Sequence, residues 1–372
     1  MKIIADDKIP YLKGILEPFA EILYLPGASI SNADLKNADA LITRTITQCN
    51  ENLLKNTSIK LIASATIGFD HIDTEWCQQH NIKWTNAPGC NASSVMQYIA
   101  SSLVNLAKDK GFSLKGKTLG IIGVGHVGSK AAELAEKLGM RVLLNDPPRA
   151  ENEGKEKFVS IEQIKSESDI ITIHVSLNKD LKFKTYHLID DTFFETLSKK
   201  PYFINTSRGA VVKTNALKNA LKMNKISGAI LDVWENEPLI DTELLGMAIY
   251  GTPHIAGYST EGKANGTSMA VNALSNHFNL GLDKWYPEKL LVHDKMLISL
   301  NCKNLSDDDI LYTIISKTYN IKDDDRNLRN SVETFEKQRG EYPVRREFPA
   351  YSIELKKCPE QIKKILDYLT TV

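Results

Sequence analysis

The sequence carries no surplus charge of either sign: 46 Lys and Arg balance 46 Asp and Glu over 372 residues. A chain without a net field does not draw phosphate backbones or anionic lipid from a distance, which argues against nucleic acid or a membrane surface as its main partner. Cysteine is sparse too. Cys49, Cys77, Cys90, Cys302 and Cys358 are odd in number, scattered, and form no CxxC pair, so no disulfide framework, redox motif or metal site is expected. Nowhere do about 18 apolar residues run together. The N-terminus reaches Asp6 and Asp7 before an apolar stretch of signal-peptide length accumulates. These absences predict a cytoplasmic, soluble protein. At 42% hydrophobic and 25% charged the composition is that of a folded chain rather than a disordered one. Its length suggests two or three domains at roughly 100 to 200 residues each.

What is present is an alternation of strands and helices. Thr118–Ile122 is an apolar run that stops at Gly123-Val124-Gly125-His126-Val127-Gly128. Val127, Ala131, Leu134 and Leu138 then recur at spacings of four, three and four, the stripe of a helix packed on a sheet. Gly139 ends that helix, and Met140–Leu144 forms a second strand closing at Asn145-Asp146. Strands at Asp169–Ile173, Tyr202–Asn205 and Gly228–Asp232, with helices near 161–167 and 215–223, continue the pattern and predict a parallel sheet covered on both faces. The same grammar at Lys2–Ala5, Glu21–Tyr24, Ala40–Thr43, Leu61–Ser64 and Ile82–Trp84 predicts a second α/β domain upstream. Residues 286–372 change texture: 15 basic and 15 acidic residues fall within 87 positions, marking a third module. Its runs Asp307–Asp309 and Asp323–Asp325 suit solvated helix starts or loops.

The GxGxxG between strand and helix predicts a dinucleotide site, because its context is right. Gly123 permits the tight turn, Gly125 lets backbone approach a pyrophosphate at the helix N-terminus, and Gly128 allows helix and strand to pack closely. Asp146 closes the next strand 21 residues after Gly125, near the roughly 20 expected of a ribose-binding acid. Its charge would repel a 2′-phosphate, which favours NAD over NADP. Arg149 weakens that preference slightly, and Asp146 also suits a turn before Pro147-Pro148.

Three further residues form a chemical set. Arg208, in Asn205-Thr206-Ser207-Arg208-Gly209, lies just past the carboxyl end of a predicted parallel strand, where such sheets bind ligands, and its planar fork matches a carboxylate. Glu237 follows the strand ending at Asp232, and His254 lies 17 residues beyond Glu237. A histidine paired with a carboxylate is an acid/base tuned near neutral pH. Taken singly, Arg208 suits a surface turn, Glu237 a solvated loop and His254 a capping or core position.

Taken together and in this order after a dinucleotide motif, over residues 1–285, they resemble the D-isomer-specific 2-hydroxyacid dehydrogenase superfamily. Ala65–Asp73 is similar to that superfamily's substrate-side loop, and Asn86–Ala92 to the turn before its long interdomain helix. The resemblance implies a flavodoxin-like substrate domain of residues 1–94 with 255–285 and a Rossmann NAD domain of residues 95–254. A small α+β C-terminal dimerisation domain would follow at 286–372. It implies Arg208, Glu237 and His254 as catalytic, Gly123, Gly125, Gly128, Asp146, Val175, Thr206, Ser207, Asp232 and Gly257 at the NAD site, and Thr45, Thr66 and Tyr258 on the substrate. At His174-Val175-Ser176-Leu177 the chain departs from the usual Thr-Pro pair after the histidine, leaving backbone at 175 to serve the cofactor.

Within the superfamily, Thr43-Arg44-Thr45, Asp146-Pro147-Pro148-Arg149, His254–Ser259 and the Arg345-Arg346-Glu347 tail resemble the branch that oxidises 4-phospho-D-erythronate in pyridoxal 5′-phosphate (vitamin B6) biosynthesis. A phosphorylated acid brings about two negative charges that a neutral protein must meet locally, which nominates Arg44 and, after it, Arg346 as phosphate ligands. The Arg345-Arg346 pair suits either a phosphate site or, slightly better, a charged patch at a homodimer interface. Another 2-hydroxyacid dehydrogenase, such as a phosphoglycerate enzyme, is the alternative reading. An NAD-sensing corepressor-like scaffold is a weaker one, because the whole catalytic set is present.

Overall fold

The computed structural model describes residues 1–179, 182–292 and 296–371. The chain divides into two compact units, Met1–Asn91 with Ser259–Leu291, and Ala92–Tyr258 with Val292–Val372.

In the first unit the short apolar runs become five parallel strands: Lys2–Asp6 (β1), Glu21–Leu25 (β2), Ala40–Thr43 (β3), Leu61–Ser64 (β4) and Lys83–Thr85 (β5). Their order, β2-β1-β3-β4-β5, is the flavodoxin-like order of a doubly wound sheet. Every residue of β3 and β4 is buried, as a sheet covered on both faces requires. The helix Thr260–Phe278 returns to this sheet and sets Ala270, Val271 and Leu274 against Ile3, Ala5, Ile42 and Ala63.

The second unit holds six parallel strands: Thr118–Ile122 (β6), Arg141–Asn145 (β7), Ile170–Ile173 (β8), Tyr202–Asn205 (β9), Gly228–Leu231 (β10) and the two-residue Tyr250–Gly251 (β11). They lie in the order β11-β10-β9-β8-β6-β7, so the chain changes direction between β6 and β8. The carboxyl ends flanking such a switch are where an open α/β sheet binds its ligand.

Val292–Val372 packs within this second unit. A small parallel pair, Leu297–Asn301 (β12) with Ser352–Lys356 (β13), is accompanied by helices Asp307–Thr318, Ile321–Asn330 and Glu360–Thr371. Ile310, Ile314, Phe348 and Ile362 share one core with Tyr98, Leu103 and Leu106 of the helix Ala92–Lys110. That helix is buried from Ala92 almost throughout, including an unusual polar stripe. Ser94, Gln97, Ser101 and Asn105, spaced three, four and four and so on one face, all take partners from the C-terminal segment. Ser94 Oγ donates to Glu347 (2.8 Å), Gln97 Nε2 to the Arg346 carbonyl (3.0 Å), and Asn105 Nδ2 to Ser316 Oγ (3.4 Å), while Ser101 Oγ accepts from the Ile321 N–H (3.1 Å).

Two expectations for this segment change. Arg345 is 5% exposed within its own chain, its guanidinium 3.9 Å from the Tyr319 ring centroid. It donates to Gln97 Oε1, the Ser94 carbonyl and the Ile255 carbonyl. It therefore does not lie on an exposed patch of its own chain. The run Asp323–Asp325 is only partly solvated. Asp324 is buried and accepts from the hydroxyls of Tyr319 (2.9 Å) and Tyr342 (2.7 Å), and Asp325 accepts the Gly251 N–H at the edge of β11 (2.7 Å). Among the described residues no helix is long and apolar enough to cross a membrane.

Candidate active site

At the carboxyl end of β6, Gly123 and Gly128 make the tight turn and the close packing expected of them. Gly123 has φ +89°, and a Cβ there would fall 2.8 Å from the backbone of His174 and Val175 after β8. A Cβ on Gly128 would fall 2.0 Å from the Gly123 carbonyl oxygen. A Cβ on Gly125 would meet nothing within 4 Å among the described residues, and Gly125 caps the N-terminus of the helix His126–Lys137. An open backbone approach at a helix N-terminus is the geometry a pyrophosphate takes. Asp146 follows β7 at the turn expected before Pro147-Pro148. Its carboxylate caps the helix Pro147–Glu153 through the Arg149 N–H (3.0 Å) and also accepts the Val124 N–H of the glycine loop (2.7 Å). Arg149 is engaged by Glu153 in a two-point pair (2.6 and 2.7 Å), which removes it as a ready partner for a 2′-phosphate.

Past β8, Val175 stands against Gly123. His174 bridges Thr172 Oγ1 (3.0 Å) and Thr206 Oγ1 (3.3 Å), and burial pushes its imidazole down to about 3, so it is a neutral link between the ends of β8 and β9. Past β9, Asn205 organises the next loop. Its Oδ1 accepts from the Ser207 N–H and Oγ, and its Nδ2 donates to the Arg208 carbonyl (3.1 Å). Arg208 follows, half-buried, with Nη1 on the Ser207 carbonyl (2.9 Å). Gly209 then runs directly against the next loop: a Cβ there would be 1.9 Å from Trp234 backbone atoms. The glycine after the arginine brings the Arg208 loop and the Glu237 loop together.

Past β10, Asp232 is 1% exposed. It accepts from Thr252 Oγ1 (2.6 Å) and from the N–H groups of Ile255 (2.8 Å) and Ala256 (2.9 Å), which shapes the loop carrying His254. Burial holds this carboxyl above the usual carboxylate range despite those donors and the nearby His254. His254 sits at φ +57° with its N–H on the Asp232 carbonyl (2.7 Å). Its Nδ1 lies 2.7 Å from Glu237 Oε2, and Glu237 Oε1 accepts the Trp234 N–H (2.8 Å). Burial pushes Glu237 up. The charge and hydrogen bond of His254, the Trp234 N–H and the Arg339 guanidinium outweigh it, and the carboxyl is held below its usual value. With Glu237 fixed on Nδ1, Nε2 is the nitrogen left to exchange a proton. Gly257 and Tyr258 follow in a turn closed by the Tyr258 N–H on the Ile255 carbonyl (2.8 Å).

The carboxyl ends of β6 to β11 thus bear Gly123, Gly125, Gly128, Asp146, Val175, Thr206, Ser207, Arg208, Asp232, Glu237, His254, Gly257 and Tyr258, all within one unit. Arg44, Thr45 and Thr66 belong to the first unit. There Thr66 Oγ1 pairs with Ser64 Oγ (2.9 Å), and Asn86 Nδ2 fixes the Ile67 carbonyl (2.7 Å), holding the 65–73 loop in shape. Arg44 Nη1 reaches the Lys8 carbonyl (3.4 Å). Lys263, on the helix Thr260–Phe278, shares its neighbourhood: burial, then the charge of Arg44, holds its ammonium below the usual value. Sequence reasoning passed over Asn205, Trp234 and Lys263. Only Asn205 had a signal, an amide at a strand end two residues before a serine, the pattern of an Asx turn.

Comparison with known proteins agrees with this geometry. Residues 93–256 match the family described as D-isomer specific 2-hydroxyacid dehydrogenase, NAD binding domain, and residues 291–367 a domain of unknown function, DUF3410. A cofactor-bound 3-phosphoglycerate dehydrogenase of Entamoeba histolytica is similar in structure, with TM-score 0.64 and 27% identity over 78% of this chain and 99% of that one. A D-lactate dehydrogenase of Aquifex aeolicus complexed with NAD and lactic acid gives TM-score 0.63 and 27% identity over 79% of this chain and 100% of that one. The protein is an NAD-dependent oxidoreductase of the D-isomer specific 2-hydroxyacid dehydrogenase class. Full-length relatives narrow this. Erythronate-4-phosphate dehydrogenase of Bacteroides thetaiotaomicron is 49% identical over 95% of this chain and 99% of its own, and that of Porphyromonas gingivalis 42% over 95% of each. The chain belongs to the erythronate-4-phosphate dehydrogenase family.

Proposed function

We propose that the protein oxidises 4-phospho-D-erythronate at carbon 2 to 2-oxo-3-hydroxy-4-phosphobutanoate, as a step of pyridoxal 5′-phosphate biosynthesis in the cytoplasm. The reading is carried by relatives of that name matching 95% of the chain, together with a Glu237–His254 pair at 2.7 Å in the unit that holds the dinucleotide loop. Thr45, Thr66 and Tyr258 contact the substrate, and Arg44 meets its phosphate. Gly123, Gly125, Gly128, Asp146, Val175, Thr206, Ser207, Asp232 and Gly257 hold the cofactor.

NAD, when bound, accepts the two electrons that leave carbon 2 as hydride. His254 takes the 2-hydroxyl proton on Nε2, and Glu237, hydrogen-bonded to Nδ1, keeps the ring oriented and offsets the charge it acquires. Arg208 clamps the carboxylate and draws electron density toward the forming carbonyl oxygen. Mass analysis of the product tests the reaction: 4-phospho-D-erythronate should lose two hydrogens, the new carbonyl being trappable by a hydrazine. A product of unchanged mass would remove the reading.

Arg208→Lys keeps the charge and loses the planar fork. It should lower kcat/KM by about 10- to 100-fold, the ~1.5–3 kcal/mol of a charged hydrogen bond. Steady-state kinetics unchanged from wild type would end the clamp role. We further propose a homodimer formed through the C-terminal segment. Light scattering should then give twice the 41.6 kDa of one chain, and a single-chain mass would end that proposal.

A further inference from the structure

Arg339, on the short helix Phe335–Gly340 of the C-terminal segment, is held in a way that solvent-side salt bridges do not explain. Its side chain is 15% exposed. Its hydrogen bond from Nη1 runs to Glu336 Oε1 at 2.9 Å, on a side chain that is itself 55% exposed, while its Nε is buried with no hydrogen-bond partner among the described residues. A guanidinium taken so far out of water needs compensation from its surroundings. Three neighbours offer it. The guanidinium lies 5.8 Å from the ring centroid of Tyr258 and 6.0 Å from that of Phe335, within cation–π range, and the Glu237 carboxylate is in its field. Tyr258 in turn meets the edge of Tyr342 (5.9 Å, 86°), whose hydroxyl is fixed on buried Asp324 (2.7 Å). Arg339 and Tyr342, both from the C-terminal segment, thus bracket a ring four residues beyond His254.

We infer that Arg339 is a positioning residue for the reaction: a cation supplied by the C-terminal segment that fixes the Tyr258 ring beside the Glu237–His254 pair. The inference rests on the proposed function, since it takes Tyr258 as a substrate contact. It assigns the C-terminal segment a share in building the active site, separate from any share in dimerisation. The expected signature is a split between constants: loss of Arg339 loosens the hydroxy-acid site through Tyr258 and leaves the dinucleotide site alone.

A double-mutant cycle of Arg339→Met and Tyr258→Leu tests it, read as KM for the hydroxy acid and KM for NAD on the full-length enzyme. Arg339→Met alone should raise the hydroxy-acid KM about tenfold, with the NAD constant within twofold of wild type. In the Tyr258→Leu background the same substitution should change KM less than twofold, because contacting residues are not additive. Arg339→Lys, which keeps a cation over the ring, should stay within about threefold of wild type. Equal effects of Arg339→Met in both backgrounds, or no effect in either, would overturn the inference. Should Arg339→Met lose the fluorescence of bound NADH, Arg339→Gln takes its place, and the same results support or overturn the inference. The cycle is run on whichever 2-hydroxy acid the wild-type enzyme oxidises, so failure with 4-phospho-D-erythronate counts against the proposed substrate alone, and the cycle still decides Arg339.

Discussion

His254→Ala should lower turnover by on the order of a hundredfold or more while NAD affinity stays nearly that of wild type. The two effects separate because the residues are separate. The dinucleotide loop and Asp146 lie at the ends of β6 and β7, joined by the Asp146–Val124 hydrogen bond, whereas the His254 ring is tied to Glu237 beyond β10. Glu237 retains the Trp234 N–H when the imidazole goes, so its carboxylate is not left without a donor. One complication is local: His254 sits at φ +57°, a left-handed conformation that Ala tolerates poorly, at a cost of about 1–3 kcal/mol. His254→Asn controls for it, since Asn adopts that conformation readily but cannot act as a base. Both variants should bind NADH and be comparably slow. A variant binding NADH and turning over at the wild-type rate would remove His254 from the chemistry.

Gly209→Ala should be nearly as damaging, although the residue touches no reacting atom. The added methyl carbon would lie 1.9 Å from the Trp234 carbonyl and 2.4 Å from the Glu235 nitrogen, and both neighbours are backbone. The loops bearing Arg208 and Glu237 must then separate. Overpacking of this kind costs about 1–3 kcal/mol of stability, and a displacement of roughly 1 Å between groups acting on one substrate can cost about a hundredfold in rate. We expect a lowered Tm together with a fall of about a hundredfold in kcat/KM. Gly246→Ala is the control: in the helix Thr242–Met247 its Cβ would meet nothing within 4 Å, and Ala should be neutral or stabilising by about 0.5–1 kcal/mol. Wild-type stability and rate in Gly209→Ala would show that the two loops need not touch.

Much of this arrangement is legible in the sequence because parallel strands buried on both faces are written as continuous apolar runs, and ten such runs lead to the ten strands of the two large sheets' interiors and flanks, β1 to β10. Strand β11, Tyr250–Gly251, escapes because two residues make no pattern. The dinucleotide loop is legible because Gly123 and Gly128 each answer a separate steric demand. What binds the second unit to its C-terminal segment was hidden in plain view. Ser94, Gln97, Ser101 and Asn105 form a polar stripe on an otherwise apolar helix, but their partners lie some 200 residues and more away in sequence. Arg345 misled for a related reason: two adjacent arginines suggest a surface, and only the packing against Tyr319 and the Gln97 hydrogen bond reveals a buried one. Trp234 left no trace in the pattern, since its task is to present one N–H to Glu237 and its indole N–H to the Thr252 carbonyl (3.0 Å).

On the proposed function, this pair of carboxylate and imidazole serves a phosphorylated four-carbon 2-hydroxy acid. The most direct test compares kcat/KM for NAD reduction with 4-phospho-D-erythronate and with 3-phospho-D-glycerate, with a keto acid present to reoxidise bound NADH. A preference for 4-phospho-D-erythronate of tenfold or more is expected, about 1.4 kcal/mol of discrimination or above. Turnover of 3-phospho-D-glycerate with none of 4-phospho-D-erythronate would contradict it.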